Sequence, residues 1–144
     1  MQILTDGAEP EAADTADQGL GWETADKDVA KITSGLEGAW TTHPDRWDNE
    51  FFKLLFKYKD KFVSVRSPAG ANQWEPSEMD IEDMPADQKD SSVKRKITMH
   101  DGDMALIKDP EYRKISEKFL NDQAAFDKAF TDAWFKLTHR DMAC

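Results

Sequence analysis

Arg46-Trp47-Asp48-Asn49-Glu50-Phe51-Phe52-Lys53-Leu54-Leu55-Phe56-Lys57-Tyr58-Lys59 decides the fold class. Trp47, Phe51, Phe52, Leu54, Leu55, Phe56 and Tyr58 recur at three and four positions among charges. That spacing gathers apolar side chains on one side of a helix, so it predicts an amphipathic helix over residues 46–59 with Asp48 near its start. Downstream, Lys61 to Trp74 alternates in part through Phe62, Val63 and Val65 and turns through Ser67-Pro68-Ala69-Gly70-Ala71, which reads as a small hairpin. Residues 75–92 are acidic and proline-interrupted and read as a loop. Asp109 caps and Pro110 opens a helix to about Leu120, the proline falling where its missing N–H does no harm. A second helix follows Asn121-Asp122 and makes a helical hairpin with the first. On it Phe126, Phe130, Ala133, Trp134 and Leu137 share one face, with Asp127, Lys128, Asp132 and Lys136 outside, so Trp134 reads as a core aromatic.

A chain of 144 residues is long enough for one ordinary domain, burying about 68–70% of the surface its unfolded form exposes. The acidic excess, 29 against 19, leaves a formal charge of -10, which opposes attraction to phosphate backbones and anionic lipid. No nucleic-acid partner and no membrane partner are expected. Residues 1–28 read as an acidic flexible arm, with Gly19-Leu20-Gly21-Trp22 as a local anchor or an exposed tryptophan within it. The chain opens without a basic n-region or an apolar h-region, and a cytoplasmic protein is the default. Cys144 is the single cysteine and can form neither an internal disulfide nor a cysteine-based metal site. His43, His100 and His139 lack the spacing that places two ligands on one helical face, so no metal site is expected. There is no phosphate loop, nucleophile elbow or Cys–His pairing.

Whole phrases say more than spacing does. Ile32-Thr33-Ser34-Gly35-Leu36-Glu37-Gly38-Ala39-Trp40-Thr41, then Arg46 to Tyr58, then Ser67-Pro68-Ala69-Gly70-Ala71 resemble consecutive segments of the catalase-peroxidases. Upstream, Glu9-Pro10-Glu11-Ala12-Ala13 and Gln18-Gly19-Leu20-Gly21-Trp22 are similar to that family's loop after its heme-ligand helix. Downstream, Asp109-Pro110-Glu111-Tyr112, Ile115-Ser116, Phe119-Leu120 and Ala133 to Met142 complete a resemblance over residues 7–142.

The resemblance implies a mainly α fold, part of the helical heme-peroxidase fold with a small β-hairpin and long loops, with residues 29–144 a partial catalytic domain truncated at both ends. It implies heme b as the family cofactor, hydrogen peroxide and small-molecule electron donors as substrates, removal of peroxide in oxidative-stress defence, and homo-oligomers. Trp40 falls at the family's proximal tryptophan and Asp103 at its proximal aspartate. That aspartate accepts hydrogen bonds from the indole and from the axial imidazole, making the imidazole a stronger donor to iron. Ser34 corresponds to the serine beside a heme propionate in the substrate channel, and Arg140 to the mobile arginine that assists catalase turnover. The same residues have plainer readings: Trp40 as a core aromatic, Asp103 as a helix cap, Arg140 as a cation at a helix C-terminus.

By the same resemblance the axial histidine and the distal Arg, Trp and His precede this chain, so it is expected neither to ligate heme alone nor to be active in isolation. Met99-His100-Asp101-Gly102 stands where the family has Met-Leu-Thr-Thr, altering the turn before Asp103, and residues 59–65 replace a Glu-Trp-Glu-Leu type strand. Gly38 and Ala39 stand where the family is bulkier. The alternative to an enzyme segment is a non-catalytic acidic binding or structural remnant. An indole nitrogen within about 2.7–3.2 Å of the Asp103 carboxylate distinguishes a retained proximal pair from bare ancestry.

Overall fold

The computed structural model describes residues 38–43, 46–67, 70–87 and 90–142. The acidic arm and Ser34 lie outside the described residues. The first helix, α1 (Glu50–Lys57), is shorter than the apolar pattern that announces it. Residues 46–49 precede it, and Asp48 Oδ1 accepts the Glu50 N–H at 2.8 Å, which gives one of the unpartnered N–H groups of the first turn an acceptor. Phe52, Leu54 and Leu55 of α1 are buried.

Strands β1 (Phe62–Arg66) and β2 (Asn72–Pro76) form the expected antiparallel hairpin, with Ser64 opposite Trp74. Ser67 closes the turn: its N–H donates to Ala71 O at 2.9 Å and its hydroxyl accepts from the Ala71 N–H at 3.0 Å. Among the described residues of 77–92 there is a single 3-10 turn, Ile81–Asp83, and Ala86 makes an isolated antiparallel bridge with Lys94. Tyr58 fastens that loop to α1. Its hydroxyl donates to Asp83 Oδ2 at 2.5 Å and accepts from the Asp80 N–H at 3.1 Å, and burial is the main cause that pushes its pKa up.

Past the loop, Met99 pairs with Trp74 through reciprocal backbone hydrogen bonds of 2.7 Å, and the chain enters α2 (Asp101–Lys108), a helix absent from the sequence reading. Next come α3 (Pro110–Asn121) and α4 (Gln123–His139), separated by Asp122 alone. Asp109 caps α3 as expected, accepting from the N–H groups of Glu111 and Tyr112 at 2.9 and 3.0 Å. Among the described residues this makes four α-helices and one two-stranded hairpin, a mainly α architecture. No helix among them is long and apolar enough to cross a membrane.

The core draws Leu54, Leu55 and Tyr58 from the α1 end, Ile97 and Met99 from the segment beside β2, and Met104 and Ile107 from α2. A second, aromatic cluster seals α1 against α3 and α4. Phe52 meets Phe119 and Phe126 edge-on, while Trp47 stacks on Phe126 with centroids 5.2 Å apart and donates its N–H to Asp127 Oδ1 at 2.8 Å.

One expectation is overturned here. The apolar face of α4 is not buried: Trp134 is 57% and Leu137 67% exposed, and no residue of the helix is buried. Periodicity marks a face that suits burial, but burial needs a second surface, and beyond Phe130 none of the described residues buries it.

Candidate functional site

Segment 38–40 is held against residues 97–99. Gly38 has φ +123°, and a Cβ there would fall 2.0 Å from Thr98 Oγ1, so this approach requires a residue without a side chain. The Thr98 N–H then donates to Ala39 O at 2.8 Å, Ala39 is buried, and the next side chain, Trp40, is directed at the start of α2.

There Trp40 Nε1 donates to Asp103 Oδ2 at 3.1 Å. The same oxygen accepts the His100 backbone N–H at 2.7 Å, as a carboxylate at the third position of a helix does when it caps the residue before the first turn. Asp103 is therefore a helix cap and an indole acceptor at once. Its other oxygen, Oδ1, accepts no hydrogen bond from the described residues. The His100 ring lies edge-on to Trp40, centroids 5.2 Å apart, and Trp40 keeps 43% of its surface exposed, so it is not a core aromatic.

A second indole–carboxylate pair stands beside the first. Trp74 Nε1 donates to Asp101 Oδ1 at 2.6 Å, and Asn72 Nδ2 donates to the same oxygen at 3.1 Å. Lys108 Nζ sits 4.4 Å from the centre of the Trp74 ring, within the range of a cation–π contact. Sequence reasoning missed His100, Asp101 and Trp74 as members of this site. The only signal was the charged, glycine-containing turn before Asp103.

Arg140 does not join them. It is exposed at the C-terminal end of α4 and makes no hydrogen bond or ion pair among the described residues, so its placement there fits the helix-dipole reading. The three histidines also stay apart: His43 Nδ1 shares a hydrogen bond with Thr42, His100 faces Trp40, and His139 stacks on Phe135 at 3.9 Å. Among the described residues no group of three or more His, Cys, Asp or Glu could hold a metal ion.

No protein-family model matches the sequence. Individual relatives do. The chain is 55% identical over 139 residues to a catalase-peroxidase of Pectobacterium atrosepticum, covering 94% of this chain and 19% of that one. It is 53% identical to a catalase-peroxidase of Vibrio cholerae over the same shares, and 54% identical to one of Aeromonas salmonicida, of which it covers 20%. The chain thus spans about one fifth of the length of the relatives it matches.

Proposed function

The chain belongs by sequence to the catalase-peroxidases, and on that premise we propose that it is the proximal-side part of a heme-dependent enzyme that removes hydrogen peroxide. The observation that carries the reading is the Trp40–Asp103 hydrogen bond of 3.1 Å, made to a carboxylate that the turn of α2 already holds in place. The donor set fits the cofactor's proximal side: Asp103 keeps Oδ1 open to an imidazole N–H while Oδ2 is committed to Trp40 and His100. Such a bond to an imidazole makes it a stronger donor to iron. When bound, heme supplies the peroxide-splitting chemistry.

The chain's own residues then have separate tasks. Asp103 and Trp40 would hold the proximal side of the heme, Asp103 by orienting an imidazole, and Ser34 corresponds by sequence to the family's channel serine. Arg140 assists catalase turnover from α4. Hydrogen peroxide and small-molecule electron donors are the substrates, in a cytoplasmic homo-oligomer serving oxidative-stress defence. The 144-residue chain by itself is expected to give no histidine-ligated Soret band and no peroxide decomposition above that of free heme.

Grafting tests this. Residues 1–142 of this chain are exchanged for the matching stretch of the Pectobacterium atrosepticum catalase-peroxidase, and heme loading and oxygen release from peroxide are followed. The graft is expected to load heme and release oxygen. Trp40→Phe and Asp103→Asn within it should each lower turnover at least about tenfold, as removal of a partner that tunes a metal ligand does.

A second reading, a non-catalytic acidic binding protein, is favoured by the exposed Trp134 and Leu137 on α4 and by the charge of -10. A graft that folds but loads no heme supports this reading and overturns the first.

A further inference from the structure

The Asp103 carboxylate meets Trp40 only if the turn entering α2 is aimed correctly, and this turn carries the residues His100-Asp101-Gly102. A glycine there gives no stiffness of its own. What stiffens it is Trp74. Its backbone is locked to Met99 by the two 2.7 Å bonds, its indole N–H donates to Asp101 Oδ1 at 2.6 Å, and Lys108 from the far end of α2 lies over its ring at 4.4 Å. Asp101 and Lys108 are seven residues apart, two helical turns, and so project from one side of α2 onto this one side chain. Asn72 adds a second donor to Asp101 from the same strand, at 3.1 Å.

From this arrangement we propose that Trp74 and Asp101 are positioning residues: together they clamp the first turn of α2 to β2 and thereby set the aim of Asp103 on Trp40. The importance of that aim rests on the functional reading above, but the clamp itself does not. The hydrogen-bond and ring partners of Trp40 are Asp103 and His100, not these two. Trp74 and Asp101 act through the backbone between residues 99 and 103, which leads from the Met99–Trp74 bridge to Asp103. A clamp of one charged acceptor with two N–H donors is strong enough to matter, because each such bond contributes more than a neutral one.

The test uses the full 144-residue chain, labelled with nitrogen-15, with the Trp40 Nε1–H resonance assigned by its loss in Trp40→Phe. In the unaltered chain this proton is expected downfield and slow to exchange with solvent. Trp74→Phe, which keeps an aromatic ring and removes the donor, and Asp101→Ala should each speed its exchange about tenfold, the change expected from one charged hydrogen bond, while circular dichroism shows the helices intact. Asp101→Asn retains an acceptor oxygen and should restore most of the protection, whereas Asp101→Leu, of similar bulk but with no acceptor, should not, a difference a purely steric role would not produce. Leu137→Ala serves as an exposed control and should change nothing. Unchanged Trp40 exchange in both Trp74→Phe and Asp101→Ala overturns the proposal. So does loss of protection only in step with global melting. If Trp74→Phe fails to fold, the Asp101 variants decide. Rapid Trp40 exchange in the unaltered chain would instead remove the basis of the functional reading, so the two failures are distinguishable.

Discussion

Gly38 carries φ +123° with Thr98 directly over its α-carbon, and an added Cβ would stand 2.0 Å from Thr98 Oγ1 and 2.5 Å from Thr98 Cβ. Both the backbone conformation and the space exclude a side chain, so Gly38→Ala should destabilise the chain by about 2 kcal/mol or more. Urea unfolding measures it, and an unchanged midpoint would mean that segment 38–40 is not packed as described. Electrostatics at the residue scale centre on Lys57, whose Nζ lies 2.8 Å from Asp80 Oδ2 and 2.5 Å from Asp83 Oδ2. The hydrogen bond from Lys57, then its charge, holds the Asp80 carboxyl below its ordinary value of 3.8. Hydrogen bonds to Asp80 and then Asp83 push the Lys57 ammonium above its ordinary 10.5. A depressed acid contributes stability above its unfolded pKa and loses it as pH falls through the folded one. A raised base contributes below its unfolded pKa and loses it as pH rises through the folded one. Melting temperature should therefore fall as pH drops from about 3.8 through the lowered Asp80 value, and fall less steeply in Lys57→Met. Parallel acid limbs would show that the pair does not act in solution. Both groups are solvent-exposed, so the difference should be small.

At the scale of elements, one buried amide supplies the polar part of the join between α1 and α3, beside the Phe52–Phe119 contact. Asn49 Nδ2 donates to Phe119 O at 3.2 Å and to Leu120 O at 3.0 Å, two carbonyls of the last turn of α3 that have no partner within their own helix. Asn49→Ala should cost about 1–3 kcal/mol, the penalty of leaving buried acceptors unsatisfied. Asn49→Asp should cost more, since it turns a carboxylate toward two carbonyl oxygens. Chemical denaturation of the two variants side by side checks the order, and equal losses would mean the amide is not the join. The elements themselves differ in how far they could be read in advance. The hairpin and α3 carry explicit signals, the Ser-Pro-Ala-Gly turn and the Asp-Pro cap, and both form where expected. The eight-residue α2 carries none: it contains Gly102, and its buried side chains are only Met104 and Ile107. A helix that short is marginal alone and exists because β2 and the core hold it.

For the molecule as a whole, burial separates residues that the pattern treats alike. Leu55 and Leu137 both lie on apolar helical faces, yet Leu55 is fully buried and Leu137 is 67% exposed. Leu55→Ala should lower stability by about 2–5 kcal/mol and Leu137→Ala by less than about 0.5 kcal/mol. Thermal or denaturant unfolding reads both, and a comparable loss at Leu137 would place a partner against α4. Family, helical character, the hairpin and the identity of Trp40 and Asp103 as a pair to look for were legible from the chain alone, because turn chemistry, caps and whole phrases are local and carry their meaning in order. Tertiary structure decided the rest. The 3.1 Å approach of Trp40 to Asp103, separated by 63 positions, the Trp74–Asp101 clamp, and the exposure of Trp134 each depend on which distant surface arrives at a given side chain. Spacing along the chain cannot encode that, since an amphipathic face specifies that it can be buried and not what will bury it.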